Sequence, residues 1–174
     1  VLDEYRRLVA AKNTEVTAYT PANAQFLIGE IGFDSFEAIK LKPPLKRSLK
    51  RKRAAFEKVV KSYAQAAKFK VAEWTTAASY RIGSTFEAFA NSLLAAPRPE
   101  NLSEEAMEQY NKKLWQSVVP FKERALKTYE ANVRQAEELH LSNRWISESK
   151  QRIEALTYEL GTKTAQKIGE DTGS

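Results

Sequence analysis

Residues 72–90, AEWTTAASYRIGSTFEAFA, alternate small side chains with large aromatic ones at helical spacing around one glycine. Ala77, Ala78 and Gly83 leave room for a second helix to come close. Trp74, Tyr80, Ile82, Phe86 and Phe89 recur at the intervals that place side chains between packed helices. The stretch predicts a tight helix pair and specifies architecture rather than a reaction.

Helical periodicity extends outward from it over nearly the whole chain. Leu2, Tyr5, Leu8 and Val9 share one face of residues 1–12. Thr20 followed by Pro21 predicts a helix start, with an N-cap oxygen and then a proline whose missing N–H costs nothing in the first turn. Phe26, Leu27, Ile31, Phe36 and Ile39 continue that helix, and Gly29 and Gly32 weaken it. Pro43-Pro44 closes it and opens another from Leu45 to about Phe69, with Leu49, Phe56, Val59, Val60 and Tyr63 on its apolar face. The central helix spans residues 71–95. Ser103, preceded by Leu102 and followed by Glu104 and Glu105, predicts the next N-cap. That helix should reach Leu139, with a kink or break at Pro120 near Val118. A last helix, residues 142–160, should stop at Gly161. Residues 1–160 therefore read as one all-α domain of antiparallel helix pairs, and residues 161–174 as a flexible C-terminal tail with little to bury.

The composition excludes several classes of function. At 174 residues the chain is long enough for a real core, a domain of this size burying about 70% of its unfolded surface. It has no cysteine, hence neither a thiol nucleophile nor a disulfide. No apolar run approaches the roughly 18–20 residues of a membrane span, and the opening VLDEYRRLVAAK is amphipathic rather than signal-like. Starting without methionine and inside a helical pattern, the sequence reads as a mature or excised piece of something longer. The lone His140 has no second histidine beside it and falls at an expected helix C-terminus, where it reads as a capping residue. The pairs Glu104-Glu105 and Glu137-Glu138 point about 100° apart on a helix and do not converge as an acid-base couple would. With no glycine-rich phosphate loop either, no catalytic residue, cofactor or metal is expected.

Charge is concentrated. Lys40, Lys42, Lys46, Arg47, Lys50, Arg51, Lys52 and Arg53 fall within 14 residues that hold no acid. Removing those eight from the net charge of +6 leaves the rest of the chain at −2. Lys46 and Arg47 fall in the first turn of a helix, where the dipole disfavours cations by about 0.3–1 kcal/mol each. Helix stability does not account for them. The six residues Lys46, Arg47, Lys50, Arg51, Lys52 and Arg53 are therefore the first candidate for partner binding, through an acidic protein face, anionic headgroups or a nucleic-acid backbone. Set against this is a solvated helix face paired with acids such as Glu57. The run KRSLKRKR also fits a nuclear-import signal, a reading that its place inside a folded helix disfavours.

Five or six helices joined by short loops form either a closed bundle or part of a solenoid, and the residues favour the solenoid. Ile82-Gly83 with Phe86 matches the first helix of a tetratricopeptide unit, and Ala125, Tyr129 and Ala136 stand where the second helix carries its packing residues. The intervening segment exceeds the usual repeat of about 34 residues, so the match is partial. Beyond it, the run from PLKRSLKRKRAAFEKVV onward, with its YRIG, FA-x-x-LL, PRP, PF-x-x-x-A and W-I-x-x-S elements, resembles the large tetratricopeptide-repeat proteins of the Gram-negative envelope, of TonB-linked or gliding-motility type. The resemblance covers most of residues 20–156. It implies a periplasmic or outer-membrane-associated scaffold without catalysis of its own, whose partners are other envelope proteins, with peripheral contact to the membrane as a further use of the basic patch. In such repeats the first helices line a groove for peptides, where Arg81, Thr85 and Asn91 are expected. The alternative is a cytoplasmic helical domain that binds nucleic acid through residues 40–53. The acidic remainder of the chain, which offers no extended cationic track, disfavours it. The nine aromatics from Trp74 to Trp145 read as core rather than as base-stacking platforms.

Overall fold

The computed structural model describes residues 1–11 and 16–171, the segment 163–171 as backbone only. All regular structure among them is helical: α1 (Leu2–Ala10), α2 (Tyr19–Ala38), α3 (Leu45–Ala67), α4 (Ala72–Leu94), α5 (Glu104–Glu138) and α6 (Arg144–Asp171). Each helix packs on the next in sequence. In addition α2 touches α4 and α4 touches α6, so these three form one layer, with α3 and α5 in a second. None of the helices is long and apolar enough to cross a membrane, among the described residues.

Most boundaries follow from local chemistry. The Ser103 hydroxyl accepts from the Ala106 N–H at 3.2 Å and starts α5. Asn143 Oδ1 does the same for Ile146 at the head of α6. At the end of α5, His140 adopts φ 51°, and the Leu141 and His140 amides return to the carbonyls of Ala136 and Glu137 at 2.8 and 3.1 Å. This is a Schellman turn, so His140 caps with its backbone.

Three boundaries differ from the sequence reading. α2 begins at Tyr19 after Ala18, so Thr20 and Pro21 lie inside its first turn, which tolerates a missing N–H as well as the expected position does. α5 runs unbroken through Pro120. Pro120 and Gln116 are both exposed, and the carbonyl that loses its partner is left to solvent. Gly161 lies within α6 instead of ending it. One interior glycine costs only about 1 kcal/mol, and Thr162 Oγ1 donates back to the Tyr158 and Glu159 carbonyls across it. Residues 172–174 of the expected tail lie outside the described residues.

The two hairpins α2–α3 and α4–α5 are built around the same contact. A methyl group at Gly29 would sit 2.5 Å from the Tyr63 ring, and one at Gly83 would sit 2.6 Å from the Tyr129 ring. Each ring lies directly on a helix backbone, fully buried. Its hydroxyl then needs an acceptor: Tyr63 donates to Glu30, and Tyr129 to Glu87 at 3.2 Å. Each carboxylate in turn binds an arginine from the next helix of the first layer, Arg81 for Glu30 and Arg152 for Glu87. Around these links the core collects Phe26, Phe33, Phe36, Phe56, Val59 and Phe89, with Trp145 reaching over from α6. A second cluster, Ala125, Tyr129 and Leu156, joins α5 to α6.

Two outcomes follow. Gly29→Ala and Gly83→Ala should each destabilise by about 1–3 kcal/mol in denaturant titrations, the overlap with the ring outweighing alanine's helix preference, whereas Gly161→Ala, with nothing within 4 Å of its added carbon, should stabilise by up to about 1 kcal/mol. Burial first, then the neighbouring glutamate, raises the pKa of Tyr63 and Tyr129 well above the ordinary 10.0. The unfolded chain therefore loses these protons first. Stability is fully present below pH 10 and should fall above it, by up to about 1.4 kcal/mol per pH unit for each tyrosine. The fall should be shallower in Tyr63→Phe/Tyr129→Phe.

Candidate functional site

The basic segment leaves the end of α2, passes through Pro43-Pro44 and continues along the first half of α3. On a helix, Lys46, Arg47, Lys50, Arg51 and Arg53 cover a broad solvent face, and all five are exposed. Arg53 meets Glu57 one turn on at 3.3 Å, a contact exposed on both sides and worth only a few tenths of a kcal/mol, about 0.3–0.5.

Lys52 departs from this set and corrects the sequence reading. It is 3% exposed. Its Nζ donates to the carbonyls of Phe36 at 3.1 Å and Ile39 at 2.8 Å, and lies 4.3 Å from the centre of the Phe36 ring. Lys52 thus holds the last turn of α2, where a cation and a donor are both favoured. Burial, and then the charge of Lys40, push its pKa below the ordinary lysine range, with Glu37 opposing.

The expected groove set is also divided. Arg81 spends its guanidinium on Glu30 and lies over the Phe33 ring at 5.1 Å, tying α4 to α2. Thr85 is fully buried and donates to the Arg81 carbonyl at 2.6 Å, so it lines no groove. Of the three, Asn91 alone is exposed. Its Oδ1 accepts from Lys122, which is buried and also pairs with Glu159 of α6 at 2.8 Å. Asn91 forms one wall of a cleft of about 620 Å³ between the end of α2 and the second half of α4, together with Glu37, Lys40, Lys52 and Ser92. The cleft and the exposed face of α3 are consecutive parts of one basic segment.

Sequence reasoning missed the cleft because Lys40 and Asn91 are 51 residues apart and only the α2–α4 crossing unites them. It also missed Glu30, Glu87 and Arg152. A signal for the last was present: Trp74 precedes Arg81-Ile82 at the same spacing as Trp145 precedes Arg152-Ile153.

No family model matches this chain, and neither the curated proteins nor the solved structures give a significant match.

The structure sorts six adjacent cations into five that face solvent and one that supports the fold, and mutation should reproduce the division. Lys52→Glu, which sets a carboxylate against two carbonyl oxygens, should cost more than about 3 kcal/mol, while Lys50→Glu should stay within about 0.5 kcal/mol of the parent in the same denaturant titration.

Proposed function

We propose that this chain is a non-catalytic helical-repeat scaffold of tetratricopeptide type, which holds proteins together in an assembly of the Gram-negative cell envelope. The observation that carries the proposal is the exposed ridge of Lys46, Arg47, Lys50, Arg51 and Arg53 on a rigidly packed helix. These residues hold no helix end and fill no core, and Lys46 and Arg47 stand where the helix dipole opposes them. An acidic protein face supplies the charge they lack. The adjoining cleft, with Lys40 and Asn91 at its edge, accommodates an acidic side chain reaching past the ridge. Long-range attraction to such a surface raises the rate of encounter, and the rigid helix fixes the docking geometry. The periplasmic or outer-membrane setting rests on the sequence resemblance.

The test is affinity capture from a Gram-negative envelope extract, with the captured proteins identified by mass spectrometry. The parent chain is compared with Lys46→Glu/Arg47→Glu/Lys50→Glu/Arg51→Glu/Arg53→Glu, leaving Lys52 in place so that the fold survives. Circular dichroism verifies the helix content of both. A defined set of acidic envelope proteins held by the parent and lost by the variant is the expected result. Capture unaffected by the reversal would overturn docking through the ridge. Recovery of nucleic acid, with affinity falling steeply with salt at a slope of about −0.9 per phosphate neutralised, would replace the scaffold with the nucleic-acid reading.

A further inference from the structure

The glycine–tyrosine contacts set the two hairpins in register: Gly83 follows Gly29 by 54 residues, and Tyr129 follows Tyr63 by 66. In the second hairpin, the groove between α4 and α5 is filled by the preceding helix. Phe56 of α3 inserts its ring among Phe86 at 5.0 Å, Phe89 at 4.8 Å and Phe121 at 6.2 Å. Applying the two offsets, the positions of Phe86, Phe89 and Phe121 correspond in the first hairpin to Gly32, Ser35 and Ala55. All three are small, and the same place holds an open groove of about 480 Å³. It is walled by Ile28, Gly32 and Ser35 from α2 and by Ala55 and Val59 from α3.

No described helix fills this groove. α1 packs on α2 as α3 packs on α4, but it has nine residues, about 13 Å, against 23 in α3. It covers only the first turn of α2, around Thr20 and Pro21. Beyond it Leu27, Ile28 and Ile31 remain 51%, 48% and 68% exposed. Leu27 and Ile28 correspond to Arg81 and Ile82, and Ile31 to the fully buried Thr85. The cations Arg51 and Lys58 stand on the rim.

We propose that the α2–α3 groove receives an amphipathic helix from a partner protein, laid along α2 in the manner of α3 along α4. It inserts one large aromatic side chain between Gly32, Ser35 and Ala55 and turns acidic residues toward Arg51 and Lys58. The internal repetition specifies the occupant: the same groove one hairpin later already holds a helix with a phenylalanine in it. Three bulky residues replaced by three small ones leave the space for a side chain larger than the one Phe56 supplies. Helix-in-groove recognition of this kind reads anchors one or two turns apart, and Leu27, Ile28 and Ile31 offer such a face. The proposal names a partner for the scaffold and rests on that reading for the partner's acidity alone.

The probe is a fluorescein-labelled peptide with the sequence of α3 in which Lys46, Arg47, Lys50, Arg51, Arg53, Lys58 and Lys61 are replaced by glutamate, titrated with the full chain by fluorescence anisotropy. Saturable binding is expected, weakened at least about tenfold when the peptide carries Phe56→Ala. The same loss is expected when the protein carries Ile28→Glu, which places a charge on the apolar face, or Ser35→Trp, which fills the groove from an exposed position. Two protein variants of opposite chemistry, both checked for unchanged melting, separate loss of the groove from loss of the fold. Lys46→Glu/Lys50→Glu in the protein should leave binding within about twofold, so failure of the ridge and failure of the groove are told apart. Absence of saturable binding, or binding indifferent to Phe56→Ala, would overturn the proposal. Sedimentation showing that the chain dimerises, and that Ile28→Glu abolishes the dimer, would overturn it in favour of a second copy as occupant.

Discussion

The approach of two helices over a bare glycine backbone, with a tyrosine ring pressed between them, is the constraint on which this fold depends. A ring so placed is fully buried, and burial leaves its hydroxyl in want of an acceptor. Glu30 and Glu87 supply one, yet a carboxylate drawn out of water, half-buried at Glu30 and buried at Glu87, needs a cation in turn. That cation comes from the following helix of the first layer. Each tight hairpin is thereby tied to the next: Gly29, Tyr63, Glu30 and Arg81 bind α2, α3 and α4, and Gly83, Tyr129, Glu87 and Arg152 bind α4, α5 and α6. Asn132 adds a parallel tie by donating to the Thr76 carbonyl at 3.0 Å and to Ser149 at 3.1 Å. α6 does not carry the device further, since the register of Trp145, Arg152 and Ile153 puts an exposed glutamate, Glu154, where α4 has Gly83.

The same logic explains how one run of cations serves two ends. Lys52 and Lys122 are buried lysines that satisfy acceptors at helix ends and between helices. Five neighbours of Lys52 project into solvent from the rigid platform that Lys52 helps to fix. A ridge held in this way presents a fixed charge pattern to solvent. The open groove between α2 and α3 adjoins the ridge and shares Arg51 with it.

Helix content, the two loops at Pro43-Pro44 and Pro97–Asn101 and the N-cap at Ser103 were legible because each rests on chemistry within a few residues. So was the role of Gly83, whose small neighbours announce a close approach. The side of α3 on which Lys52 lies was not, because a run with cations on every face carries no period to separate the inward one. Thr85 was misplaced for a similar reason: small polar residues occur in cores and in grooves alike, and only its bond to the Arg81 carbonyl explains its burial. The tetrapeptides FLIG, YRIG and YELG look like three copies of one signal, but the third is out of register with the packing, and Gly161 meets nothing. The spacing from tryptophan to arginine, shared by Trp74–Arg81 and Trp145–Arg152, follows the packing where the tetrapeptides do not.

A tyrosine in the second layer and an arginine on the next helix act through one shared glutamate. A double-mutant cycle on stability, with Tyr129→Phe, Arg152→Met and the combined variant, tests it most directly, because the two side chains meet at Glu87. A coupling of at least about 0.5 kcal/mol is expected, the second substitution changing stability by a different amount once the first has altered the glutamate's partners. Strict additivity of the two effects would contradict it and would reduce the links between hairpins to independent contacts.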